Sequence, residues 1–168
     1  MQRRVLFKLS MASVAVLAFA GGAAALLQPG LKEGLLTYDG REVFAAVGGA
    51  VLDKVFPAEA DTRAMAVKTF LERIDMLISA LPQHAQNELS QLLSVLASSA
   101  GRVALVGLDT RWQTAGVEEV QRALQGMCVS SLELRQQTYA VLHEISTAAW
   151  FGHPSSWPLL GYPGPQNI

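Results

Sequence analysis

The sequence predicts an all-α fold: a small helical domain of about five helices, closed by an irregular arm rich in proline, glycine and aromatic residues. Three observations carry that prediction. Beyond an apolar leader, apolar residues recur at spacings of three and four in successive stretches. No stretch alternates with the period of two that a half-buried strand needs, and no strong hairpin dipeptide separates β-branched runs. Pro57, Pro82 and Gly101 fall between the periodic stretches, where breakers belong.

Residues 1–25 read as an export leader. Arg3 and Arg4 stand before a charge-free stretch from Leu9 to Leu27 that is rich in Ala, Val, Leu and Gly, the basic and apolar regions of a signal. A general secretory signal needs only scattered positive charge. Here the arginines are adjacent and are followed by Val5, Leu6, Phe7 and Lys8, close to the twin-arginine pattern, so Arg3, Arg4, Phe7 and Lys8 are the candidate export-signal residues. Ser10, Ser13, Gly21, Gly22 and many alanines dilute the apolar stretch, as is usual for that route. Cleavage sites of small residues occur at Ala18-Phe19-Ala20 and at Ala23-Ala24-Ala25. About 20 apolar residues also suffice to span a bilayer, so an uncleaved anchor is the alternative. Either way the expected location is periplasmic, on the outer side of a cytoplasmic membrane.

Without Arg3, Arg4 and Lys8, the 13 basic residues fall to 10 against 14 acidic ones. A mildly acidic body has no basic stripe to neutralise phosphates, and nucleic-acid binding is disfavoured. The remaining length suits one domain. Cys128 has no partner in the chain, so no internal disulfide is expected, which fits a protein that folds in the reducing cytoplasm before export. Between Met127 and Val129 it reads as a buried, inert thiol.

Residues 26–40 read as a linker, because Gln28 to Gly40 holds Pro29, Gly30, Gly34 and Gly40. The helical domain then occupies residues 41–151. Val43, Phe44, Val47, Val51 and Val55 predict a first helix closed by Pro57, with Gly48 and Gly49 each weakening it by roughly 1 kcal/mol relative to Ala unless another helix packs closely there. Asp61 is the expected N-cap of a second helix, whose stripe is Met65, Phe70, Ile74, Leu77 and Ile78. Pro82 opens a third, with Leu89, Leu92, Leu93 and Leu96. These two are expected to form an antiparallel pair with an apolar seam. Arg63, Glu72, Arg73, Asp75 and Glu88 fall on polar positions and read as a solvated face. Gly101 to Leu108 is a buried connector, and Trp112 follows in a polar setting. Thr114 is expected to cap a helix with Val117, Val120, Leu124 and Met127 inward. Ser130 and Glu133 form a capping box for the last helix, which carries Leu134, Tyr139, Leu142, Ile145 and Ala149 on one side.

The residues give little chemistry. His84, His143 and His153 are scattered and Cys128 is alone, so no metal set is spaced for ligation. His143-Glu144 lacks the second histidine of the zinc-protease helix. No serine sits in a glycine elbow, and the glycines at 21, 22, 48 and 49 follow no strand that could make a dinucleotide site. Glu118 and Glu119 are adjacent and point to different sides of a helix. No catalytic, cofactor-binding or metal-ligating residue is assigned.

Residues 152–168 stand out. The last helix is expected to end at Trp150-Phe151, after which Gly152, Pro154, Pro158, Gly161, Pro163, Gly164 and Pro165 exclude regular helix and favour turns and polyproline-like geometry. Trp157, Leu159, Leu160 and Tyr162 are costly to leave in water. Either the segment folds back over its own helices, or it is an arm laid on another protein through aromatic anchors.

Trp150-Phe151, then Trp157 with three residues to Gly161-Tyr162-Pro163-Gly164-Pro165, resembles the closing motif of the gluconate 2-dehydrogenase subunit 3 family. The resemblance extends to the leader, the helix around Phe70 to Leu81, Leu92-Leu93, and Val106-Gly107-Leu108 before Trp112. It departs from commoner members in Trp150-Phe151, where a tyrosine pair is frequent, and in stopping soon after Pro165. The resemblance implies a non-catalytic small subunit that carries the twin-arginine signal and no cofactor. Its implied partners are the twin-arginine translocase and a signal-less flavoprotein of the glucose-methanol-choline type, folded with FAD and exported as passenger. A multihaem cytochrome c commonly completes such complexes. The implied partner interface is Trp150, Phe151, Trp157, Gly161, Tyr162, Pro163, Gly164 and Pro165. Two other classes stay open: a free-standing exported binder of a small apolar ligand, and a structural protein anchored by its leader.

Overall fold

The computed structural model describes residues 28–161. Five α-helices make the body: α1 (Tyr38–Val51), α2 (Ala60–Ser79), α3 (Gln83–Ala97), α4 (Val117–Cys128) and α5 (Glu133–Phe151). A two-stranded hairpin precedes them, β1 (Leu31–Lys32) and β2 (Leu35–Leu36), antiparallel with Leu31 opposite Leu36. The fold is all-α.

Helix α1 is the hub, in contact with α2, α3, α4 and α5. Its sequence explains this: Val43, Phe44 and Val47 are fully buried, while Ala45, Ala46, Gly48, Gly49 and Ala50 are small enough to let neighbouring helices come close. An ideal Cβ on Gly48 would lie 2.2 Å from Phe70 Cε1, so the glycine is what admits the α2 ring. Leu89, Leu93 and Leu96 of α3, Val120 and Met127 of α4, and Leu142 and Ile145 of α5 complete the core.

The expected antiparallel pairing of α2 with α3 is corrected. The two helices share little surface, and each packs on α1, with α2 also resting on α5. Periodicity identifies an apolar face but not the face it meets. On α2 the stripe is Phe70, Ile74 and Ile78, whereas Met65 is 62% exposed.

The segment read as a linker is folded into the body. Gly30 donates its N–H to Ser94 Oγ at 3.1 Å and to the Ser90 carbonyl at 3.3 Å, and Leu31 N–H bonds Ser90 Oγ at 3.0 Å. Glu33 (φ 54°) and Gly34 (φ 78°) are both left-handed, as a two-residue hairpin turn of the primed type requires. Asp75, expected on a solvated face, is buried; it accepts the Leu36 N–H at 2.8 Å and pairs with Arg41. A polar side chain on the apolar edge of α2 thus fixes the hairpin to the bundle.

Helix starts also differ. Thr37 caps α1, so that helix begins inside the expected linker, and it ends at Val51 before Val55 and Pro57. Glu59, not Asp61, caps α2, its carboxylate taking the N–H groups of Asp61 and Thr62. Helix α4 begins after Gly116 with no side-chain cap, so Thr114 does not serve. Leu132 occupies the cap position of α5, while Ser130 Oγ takes the Leu132 N–H. The connector is helical as far as Val106: a turn at Ser99–Gly101 runs into a π-helical turn, Arg102–Val106, closed by left-handed Gly107 (φ 77°). Trp112 is buried, its indole N–H donating to the Leu96 carbonyl at 2.8 Å.

Candidate functional site

The carboxyl-terminal arm and its seat on α2 and α5 form the first candidate. Helix α5 ends at Phe151, as expected, and Pro154–Leu160 continues as a 3₁₀ helix capped by left-handed Gly161 (φ 66°). This corrects the expectation of an irregular arm with no helix. Pro154 sits in the first turn, where its missing N–H leaves no bond unmade, and His153 caps the turn by accepting the Ser155 N–H at 3.2 Å.

Arg73 holds this segment down. Its Nη1 donates to the Trp150 carbonyl and to Ser156 Oγ, each at 3.3 Å, and its Nη2 to Ser155 Oγ at 2.9 Å. The guanidinium also lies over the Trp150 ring, 4.8 Å from its centroid. Burial there lowers the Arg73 pKa from its usual value without threatening its charge. On its other side Trp150 meets Phe56 edge to face, with centroids 4.9 Å apart.

Of the sequence-predicted interface residues, Trp150 and Phe151 are partly buried and packed on the chain's own core. Trp157 is partly buried and engaged in an interaction of its own. Gly161 is exposed at the end of the 3₁₀ turn. Tyr162, Pro163, Gly164 and Pro165 lie outside the described residues, as do Arg3, Arg4, Phe7 and Lys8. Through residue 158 the arm therefore folds back over its own helices. Sequence reasoning missed Arg73, Ser155 and Ser156, although an arginine one turn after Phe70 and a serine pair before an aromatic were visible signals.

Cys128 is exposed rather than buried, because it falls on the outer side of the last turn of α4. Burial holds the Tyr139 hydroxyl above its usual pKa, with a smaller contribution from Cys128. No three of His, Cys, Asp and Glu group for a metal among the described residues.

Two clefts among the described residues have lining side chains with open polar groups. One, of about 430 Å³, lies between the hairpin tip and the start of α3, lined by Glu33, Gln83, Gln86, Asn87 and Ser90. Most of its amides are already spent: Gln86 donates to the Leu81 carbonyl at 2.9 Å and Gln83 to Asn87 at 3.1 Å. The other, of about 310 Å³, opens between α1 and the loop after the π turn, lined by Asp39, Glu42, Arg102, Arg111, Trp112 and Gln113. No protein-family model, curated protein or solved structure matches the chain.

Proposed function

We propose that this chain is the non-catalytic small subunit of an exported flavin-dependent dehydrogenase complex, of the gluconate 2-dehydrogenase subunit 3 type. In this reading its twin-arginine signal escorts a folded, FAD-carrying catalytic subunit of the glucose-methanol-choline type across the membrane and the helical body stabilises that subunit there. The observation that carries the reading is the adjacent Arg3-Arg4 pair before the charge-free stretch from Leu9 to Leu27, joined to the Gly161-Tyr162-Pro163-Gly164-Pro165 closing motif. An all-α body whose single cysteine needs no oxidative pairing is compatible with folding before export. The two clefts described above are lined mainly by polar and charged groups, so neither of them suits the rival reading of a carrier for a small apolar ligand.

The test is replacement of Arg3 and Arg4 together by Lys. The translocase reads guanidinium groups and not charge alone, so flavoprotein activity should be retained in the cytoplasm while the positive charge of the leader is unchanged. Normal periplasmic dehydrogenase activity in the double variant would refute the escort role.

A further inference from the structure

Four charged side chains line the cleft between α1 and the Asp109 to Gln113 loop, two of each sign. None of them is in a salt bridge among the described residues. Asp39 and Glu42 are three residues apart on α1 and so share a face. Arg111 stands exposed on the loop with no bond from its side chain. Arg102 is different: it is only 8% exposed, yet no carboxylate of the described residues pairs with it. Its Nε donates to the Leu108 carbonyl at 3.2 Å and its Nη2 to the Asp109 carbonyl at 3.4 Å, and among the described residues its Nη1 has no acceptor.

A buried cation without a counter-ion is expensive, and a bound oxyanion beside it gains correspondingly. The carbonyl bonds also fix the guanidinium, so no side-chain freedom remains to be lost on binding. Asp39 and Glu42, from α1, offer acceptors for a cation in the same cleft. Groups of opposite sign that face one gap without closing on each other suit a molecule that carries both signs.

We propose that this cleft binds a small zwitterion of the α-amino acid class, its carboxylate on Arg102 and Arg111 and its ammonium on Asp39 and Glu42. The cleft volume of about 310 Å³ admits such a molecule with a short side chain, and Trp112 forms part of the wall. The proposal is independent of the escort reading, since it rests on this cleft alone.

The experiment is calorimetric titration of the full chain with L-serine, beside acetate and ethylammonium as the two halves of the ligand. Saturable binding of L-serine with neither half bound is expected. Arg111→Gln and Glu42→Gln should each weaken it by about tenfold or more, as loss of one charged hydrogen bond does, with circular dichroism unchanged because neither side chain has a partner among the described residues. The same titration should move the Trp112 indole signal by NMR. Acetate binding as tightly as L-serine would leave only an anion site and overturn the proposal. So would the absence of saturable binding, or binding indifferent to both substitutions.

Discussion

Gly48 and Gly49 are neighbours in α1, and the structure assigns opposite signs to their replacement by alanine. In an unhindered helix interior, either change should stabilise by about 0.5–1 kcal/mol, since glycine carries the larger conformational entropy in the unfolded chain. At Gly49 an added Cβ has nothing within 4 Å. Gly49→Ala should therefore gain close to that full amount. At Gly48 the added Cβ falls 2.2 Å from Phe70 Cε1 and 2.6 Å from Cζ. Phe70 is fully buried and stacked edge to face with Phe56 at 5.9 Å, so its ring has no open side to turn toward. Overpacking of this kind costs about 1–3 kcal/mol and outweighs the propensity gain. Gly48→Ala should lower stability by about 1–2 kcal/mol, read as a fall in urea midpoint at unchanged m-value. Phe70→Leu combined with Gly48→Ala should then be less destabilising than the two changes summed, because the smaller side chain at position 70 relieves the clash that the alanine at position 48 creates. Equal stabilisation by both alanines would refute the close α1–α2 contact on which the core description rests.

Arg73→Ala should release the 3₁₀ segment, since it removes three hydrogen bonds and a stacked cation; limited proteolysis between residues 152 and 161 should accelerate while the thermal midpoint of the body falls only slightly. Asp75→Ala leaves the Leu36 N–H without an acceptor and Arg41 without its carboxylate, for a loss of about 1–3 kcal/mol visible in chemical denaturation and in faster amide exchange at Leu36. Glu59 has a lowered pKa, first from its side-chain bond with Thr62 and then from the Thr62 and Asp61 N–H groups. A depressed folded-state value stabilises above the unfolded carboxylate pKa and is lost as pH falls through the folded one. Glu59→Gln should accordingly flatten the acid limb of the stability curve, measured by thermal unfolding across that range.

Each miss in reading the sequence has a local cause. The stripe Phe70, Ile74 and Ile78 was legible because three- and four-residue spacing is itself the mechanism of burial on a helix. Asp75 was not, because its partners lie 34 and 39 residues away and nothing near it in sequence separates a buried acceptor from a solvated one. The hairpin escaped because its strands are two residues long and Glu33-Gly34 stands where Asn-Gly or Asp-Gly would signal the turn. Cys128 was misjudged from its apolar neighbours: Met127 is buried, yet one residue further the helix has rotated by about 100° and the thiol faces solvent. In the candidate site, the aromatics Trp150 and Trp157 were legible as residues that need cover, but not the arginine from α2 that supplies part of it.

That arginine changes what the arm can do. A flexible tail loses chain entropy whenever it docks, whereas a segment already held by Arg73, Trp150 and the His153 cap has lost that freedom in folding. The exposed turn at Gly161 is thus held at a fixed point on the body. The escort reading gains a specific expectation from this geometry. Arg73→Ala, which leaves every residue of the closing motif itself unchanged, should weaken co-purification of the flavoprotein while the helical content of the chain is preserved. If Arg73→Ala loosens the 3₁₀ segment by proteolysis and leaves co-purification intact, the arm does not present the partner surface, and the proposed interface around Trp157 to Pro165 is wrong.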